Sequence, residues 1–245
     1  MASAAEPFAD GTRANVVAAL LDGRALTAGE LARSAGVSAP TISAHLGRLS
    51  SAGILVVEAQ GRHRYYRLVD ERAGRAFEAL AALAPIRPVR SLRQSRIAAE
   101  LRFARTCYDH LAGAVAVGIA DAMIRTEAIV LADGRYQLGV AAANIFGPLG
   151  VDLDALGRSR RSFAHPCLDW SERRHHLAGA LGAALLAAVI EHGWVSRRPT
   201  SRAVTIHDTG RDGLTAILGC SLPNEETPVA TLNTTGRAGG VPSGR

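Results

Sequence analysis

With 245 residues, 28 Arg against 22 Asp and Glu, no Lys and a formal net charge of +6, the chain is long enough for one or two domains with a sizeable core, and its basic excess suits a polyanionic partner. Three cysteines, Cys107, Cys167 and Cys220, are odd in number and far apart, which argues against a disulfide framework. The opening MASAAEPFADGTRAN has neither the basic start nor the apolar core of a secretory signal, and no apolar run reaches membrane-spanning length, so a cytoplasmic protein without membrane contact is expected.

Arg13 to Leu21 carries Val16, Val17, Leu20 and Leu21 at helical spacing, which predicts a first helix. Thr27 stands three residues before Glu30, the spacing of a capping box, so a second helix starts there, with Leu31 and Ala35 on one face and Gly36 at its end. Ser38 then caps a third helix with Pro40 in its first turn, and Ile42, Leu46 and Leu49 form its apolar stripe. Thr41, Ser43, His45 and Arg48 flank that stripe or point away from it. They offer hydroxyl, imidazole and guanidinium groups of the kind that meet phosphates and base edges in a major groove. Gly53 ends the helix, and Ile54 to Glu58 and Tyr65 to Leu68 are β-favouring runs around Gln60-Gly61-Arg62, a hairpin signal. Its tip is basic, with Arg62, His63, Arg64 and Arg67 interleaved with Tyr65 and Tyr66, and suits phosphates or a minor groove.

The SAPTISAHLGRLSSAGIL run and the GRHRYYRL wing resemble the ArsR-type (arsenic-repressor-like) winged-helix regulators of bacteria, over roughly residues 8–85. The resemblance implies a winged helix-turn-helix, DNA binding by Ser38, Pro40, Thr41, Ser43, His45, Arg48, Arg62, His63, Arg64 and Tyr65, and a homodimer that reads two half-sites of a palindromic double-stranded operator. Metal-sensing members carry a cysteine pair in the helix before the turn. Here that helix is TAGELARSAG, without Cys or His, so no arsenic sensing is carried over.

Ala73 to Leu83 reads as an alanine-leucine helix, broken at Pro85-Ile86-Arg87-Pro88. Arg87, Arg90, Arg93, Arg96, Arg102 and Arg105 face only Glu100, and this segment reads as a solvated connector or as a strip lying along phosphates. His110-Leu-Ala-Gly-Ala114 then recurs as His176-Leu-Ala-Gly-Ala180, 66 residues later. The runs 111–124 and 177–190 are apolar on almost every face and are expected as central helices in contact through Gly113 and Gly179. Each precedes a β-prone hairpin, EAIVLADGRYQL or WVSRRPTSRAVTI, and then a helix, Gly139 to Phe146 or Thr209 to Leu218.

The expected fold is therefore mainly α with small β-hairpins. It comprises a winged helix-turn-helix over 1–86, a basic linker or helix over 87–105, and a dimerisation or sensing domain over 106–220. That last domain is built of two tandem wing-like helix-hairpin-helix repeats. A Gly-, Pro- and Thr-rich tail over 221–245 is expected to be disordered. Cys107-Tyr-Asp-His110 is read as a thiol and an imidazole on one helical face, with Cys167 and His175-His176 nearby in sequence. These are soft-metal ligand types, so Cys107, His110 and Cys167 are candidate ligands. The alternative reading makes the cysteines buried apolar side chains and lets His110 and His176 hydrogen-bond across the repeat interface. The cysteines, 60 rather than 66 apart, are not expected to be repeat equivalents.

No G-x-S-x-G, phosphate-binding glycine loop or H-E-x-x-H is present, so the chain is not expected to be an enzyme or to require a cofactor. The reading is a dimeric transcriptional regulator, a repressor released by an effector on the C-terminal domain. Its alternatives are a regulator responding to metal or thiol oxidation through Cys107, His110 and Cys167, and a winged helix that docks proteins without touching DNA.

Overall fold

The structure is a computed structural model that describes residues 5–83, 92–199, 201–219 and 221–224. After a 3₁₀ turn, Asp10 caps helix α1 (Gly11–Leu20), its carboxylate accepting from the Arg13 amide at 2.9 Å. Strand β1 (Leu26–Thr27) leads into α2 (Ala28–Ala35), whose capping box is formed: the Glu30 carboxylate accepts from the Thr27 amide at 2.8 Å, and the Thr27 hydroxyl accepts from the Glu30 amide. Gly36 closes α2 at φ +68°, the left-handed conformation that costs glycine least. Ser38 caps α3 (Ala39–Ser51), which buries Ile42, Leu46 and Leu49.

Strands β2 (Leu55–Gln60) and β3 (His63–Leu68) pair antiparallel with Gln60 opposite His63, so Gly61-Arg62 is a two-residue turn; β1 adds on the far side of β3. Helix α4 (Glu71–Leu83) completes a winged helix whose core is centred on Val16, Leu20, Leu31, Ile42, Leu46, Leu49 and Leu68.

Helix α5 (Leu92–Phe103) opens the C-terminal half, where two units follow in the same element order. The first runs β4 (Arg105–Cys107), β5 (His110–Ala112), α6 (Ala114–Arg125), β6 (Ile129–Ala132), β7 (Arg135–Leu138) and α7 (Ala142–Phe146). After α8 (Leu153–Gly157), the second runs β8 (His165–Leu168), β9 (His175–Ala178), α9 (Ala180–Glu191), β10 (Val195–Arg197), β11 (Val204–Ile206) and α10 (Asp208–Leu218). The units interlock: α6 lies against β9 of the second, and α9 against β5 of the first. One shared core, including Ile119, Met123, Phe146, Leu181, Leu186 and Val189, fills both.

Several expectations are corrected. The HLAGA segments are not helix: in each, the histidine and its neighbours form a strand, the glycine turns at φ +89° (Gly113) or +88° (Gly179), and the helix starts only after it. Each unit therefore opens with an extra hairpin. Those glycines do not join the two helices. A Cβ on Gly113 would lie 2.7 Å from the Arg102 carbonyl, and one on Gly179 2.8 Å from that of Ser162, so each is needed for close approach to the segment that leads into its unit.

The helix expected from Gly139 is shorter, starting at Ala142. The linker ends before Arg105, which is buried strand, while Arg87 and Arg90 lie outside the described residues. Of the tail, Leu222 is buried in the C-terminal core and Arg211 donates to the Pro223 carbonyl at 2.9 Å, so its first residues are packed; 225–245, like Cys220, lie outside the described residues.

Candidate functional site

Two regions carry chemistry. On the winged helix, the period of α3 buries its stripe and leaves Ser38, Pro40, Thr41, Ser43 and Arg48 exposed. The Ser38 and Thr41 hydroxyls bond one another at 2.8 Å, and Ser43 donates to the Ala39 carbonyl at 3.0 Å. His45 does not join that face: it is turned toward α1, its Nδ1 3.4 Å from the Asp10 carboxylate and its side chain only 18% exposed. On the wing, Arg62, His63 and Arg64 are exposed and Tyr65 is half-buried, its ring tilted against that of His63. Arg67 pairs with Glu58 at 2.8 Å, whereas among the described residues Arg48, Arg62 and Arg64 have no acidic partner. The result is a polar helix face and a basic hairpin tip with their charges available.

The second region lies where the two C-terminal units meet. Cys107 and His110 face each other across the β4–β5 hairpin, and Cys167 and His176 do the same across β8–β9. Interlocking of the units brings the four together: one ligand atom from each of Cys107, His110, Cys167 and His176 lies within 4.8 Å of the others, and all four residues are buried. The two Nε2 atoms are 3.2 Å apart. Each Nδ1 faces a carboxylate, Asp109 at 3.3 Å for His110 and Asp169 at 3.6 Å for His176.

Asp169 is wholly buried and heavily bonded. It accepts from Arg105 at 2.9 Å, from the Gly113 amide at 2.6 Å, and from the amide and hydroxyl of Ser171 at 2.9 and 2.7 Å. Burial alone would raise its pKa, but the charge of Arg105 and these hydrogen bonds hold it well below the usual carboxylate range. Arg105, itself fully buried, stacks on Trp170 at 4.7 Å and reaches Glu78 on α4 at 3.7 Å. Burial likewise opposes the ionised form of Asp109, yet bonds from His110 and Arg161 bring it down to about 2. A hydrogen bond with Cys167, together with burial, pushes the Cys107 thiol well up. The imidazoles diverge. Burial penalises both cations, but Cys107 and Asp109 raise His110 to about 9, while His176, facing His110 and Arg105, falls well below its ordinary value. The two environments thus favour the proton on His110 over His176.

The cluster is joined to the winged helix. Tyr108, at the tip of β4–β5, donates its backbone N–H to the Leu21 carbonyl and packs against the winged-helix core. Asp109 binds Arg161, which also reaches Glu71 at the start of α4 at 2.7 Å. Glu78, 2% exposed, meets Arg202 at 3.0 Å as well as Arg105.

Cys107, His110 and Cys167 are thus brought together, though not as a helical face. The equivalence denied to the cysteines is real: the loop between Cys167 and His176 is six residues longer than that between Cys107 and His110, which turns a 66-residue offset into 60. His110 and His176 do bond across the interface, as the alternative reading held. His176 as fourth member, and Asp169, Arg105, Tyr108 and Glu78 around the cluster, were not anticipated; the matched HLAGA histidines were the available signal.

Residues 8–58 match a helix-turn-helix domain family. Over 204 residues, 83% of this chain and 90% of the relative, the chain is 42% identical to the uncharacterized HTH-type transcriptional regulator YdfF of Bacillus subtilis (strain 168). Solved structures to which it is similar include the following two. One is the homodimeric winged helix-turn-helix DNA-binding domain of Mb0332 from Mycobacterium bovis, a possible ArsR-family transcriptional regulator (28% identity, 32% of this chain and 72% of that one, TM-score 0.30). The other is the cadmium metal-sensor CMTR from Mycobacterium tuberculosis (30% identity, 38% and 100%, TM-score 0.31).

Proposed function

The chain belongs to the HTH-type transcriptional regulators, and from that premise we propose that it is a cytoplasmic, dimeric repressor that reads a palindromic operator and is released by an effector acting on its C-terminal units. One observation carries the DNA-binding part. The capped helix α3 buries its stripe while Thr41, Ser43 and Arg48 stand exposed, and a wing follows whose Arg62 and Arg64 have no acidic partner among the described residues. A helix face of this kind enters a major groove, and the wing arginines neutralise phosphates beside it.

Dimerisation is supported by apolar side chains left in solvent on α4 and α5: Leu80, Leu83 and Ile97 are 44%, 81% and 44% exposed. Control by the C-terminal units is supported by Tyr108, Asp109, Arg161 and Glu78, which connect the hairpin of Cys107 and His110 to α1 and α4. The buried Cys/His cluster favours a soft metal ion or thiol oxidation as the signal. Gel shifts of the full chain on DNA upstream of its own gene test the reading: the wild type forms a specific complex, and Arg48→Ala loses it while retaining salt-sensitive non-specific binding. Unchanged specific binding by Arg48→Ala would overturn the assignment of α3.

A further inference from the structure

We infer that Cys107, His110, Cys167 and His176 form one closed, four-coordinate site for a thiophilic divalent cation of the zinc or cadmium kind, held between the two C-terminal units. This deepens the soft-metal reading above by naming the full ligand set, the charge and the geometry.

Geometry is the first support. A tetrahedral ion with ordinary bonds to sulfur and imidazole nitrogen separates two sulfurs by about 3.8 Å and two nitrogens by about 3.3 Å. The nitrogens here are 3.2 Å apart, and no pair of the four ligand atoms exceeds 4.8 Å. Contraction of the widest pair by no more than about 1.3 Å therefore reaches the separations of a tetrahedral ion. The atoms also point correctly. Both histidines turn Nε2 inward and Nδ1 toward a carboxylate, Asp109 or Asp169, the outer-shell pattern that fixes a ligating imidazole. His176 Nδ1 is fully buried without a hydrogen-bond partner, 3.6 Å from Asp169; a cation drawing on Nε2 strengthens that N–H as a donor to the carboxylate.

Charge is the second support, and it selects the ion. On binding, the two thiols lose their protons to solvent and each imidazole ligates in its neutral form, so two thiolates and two neutral imidazoles surround one ion. A divalent cation makes that assembly neutral, which a fully buried pocket requires. Thiolate sulfur excludes magnesium and calcium, which take oxygen. With four protein ligands no position stays open for water, so the site suits binding rather than hydrolysis. It also accounts for the interlocked units, because each contributes one Cys-His hairpin and neither alone offers more than two ligands.

Reduced full-length protein titrated anaerobically with Co²⁺ gives the test. The expected result is saturation at one ion per chain, with the intense visible bands of tetrahedral Co²⁺ and a near-ultraviolet thiolate charge-transfer band, both erased by one equivalent of Zn²⁺. Cys107→Ala and Cys167→Ala, which place a methyl group beside Ala112 and Ala178 in the same small apolar cluster, should each lose at least half the charge-transfer intensity. His176→Gln should weaken binding roughly tenfold or more, the scale on which a lost ligand or its support acts, and circular dichroism reports whether each variant is folded. No tetrahedral spectrum in the wild type would overturn the proposal, as would Co²⁺ binding unaltered in folded cysteine variants. So would a Cys107–Cys167 disulfide that forms with loss of two hydrogens under mild oxidant in protein that never takes up metal. None of these outcomes bears on gel shifts of Arg48→Ala, so the two readings fail independently.

Discussion

Arg105 sits with no solvent contact between two carboxylates, Asp169 and Glu78, themselves almost wholly buried. Removing it leaves negative charge without compensation in a low-dielectric interior, and breaking a buried pair in this way costs about 3–5 kcal/mol. Arg105→Met is therefore expected to lower the unfolding free energy by about that amount in urea titrations, far more than removal of the exposed Arg96–Glu100 pair, worth at most about 0.5 kcal/mol. The wing arginines obey different physics. On the proposed reading Arg62 and Arg64 each meet a phosphate, so Arg62→Ala or Arg64→Ala should reduce the slope of log affinity against log salt by about one, measured by anisotropy over a salt series, with little change in base preference. These residues also mark what single-residue reading reaches. Arg48 and Arg62 were legible because exposure follows from local period and turn. Arg105 was taken for a wet linker charge, since its partners lie 64 residues ahead and 27 behind in sequence, a burial that no local pattern encodes.

Elements separate in the same way. Capped helices announce themselves: Thr27 and Glu30, and Ser38 before Pro40, set α2 and α3 where their spacing placed them. Thr27→Ala removes one half of a reciprocal cap and should cost about 1 kcal/mol, read as a shift in the denaturation midpoint at unchanged slope. The HLAGA segments misled because three apolar residues that lead into an apolar helix fit a buried strand as well as another helical turn. Gly113 and Gly179 decide between them. Gly113→Ala combines a left-handed backbone with a clash against the Arg102 carbonyl, so a loss of about 2–4 kcal/mol is expected, against about 1 kcal/mol gained by Gly→Ala within an unstrained helix. The six extra residues between Cys167 and His176 form a loop that carries Asp169, Trp170 and Ser171 to Arg105. The insertion that disguised the repeat thus supplies Asp169, the carboxylate that faces His176.

At the scale of the molecule, a winged helix and a pair of interlocked units have separate cores and meet through a few defined contacts. The two residues between Cys107 and His110 are themselves docking residues, Tyr108 on the end of α1 and Asp109 through Arg161 on α4. An ion drawing the β4–β5 and β8–β9 hairpins together fixes the base of that tip, and whichever arrangement of the winged helix the tip favours gains the difference in binding energy. The direct measurement is fluorescence anisotropy of the full chain on labelled DNA upstream of its own gene, once with an equivalent of Zn²⁺ and once after chelation. Operator affinity is predicted to differ between the two states by about tenfold, within the usual span of coupling energies, and the difference to vanish in Cys107→Ala. Equal affinity in both states of the wild type would contradict control of the DNA-reading head by the Cys/His cluster.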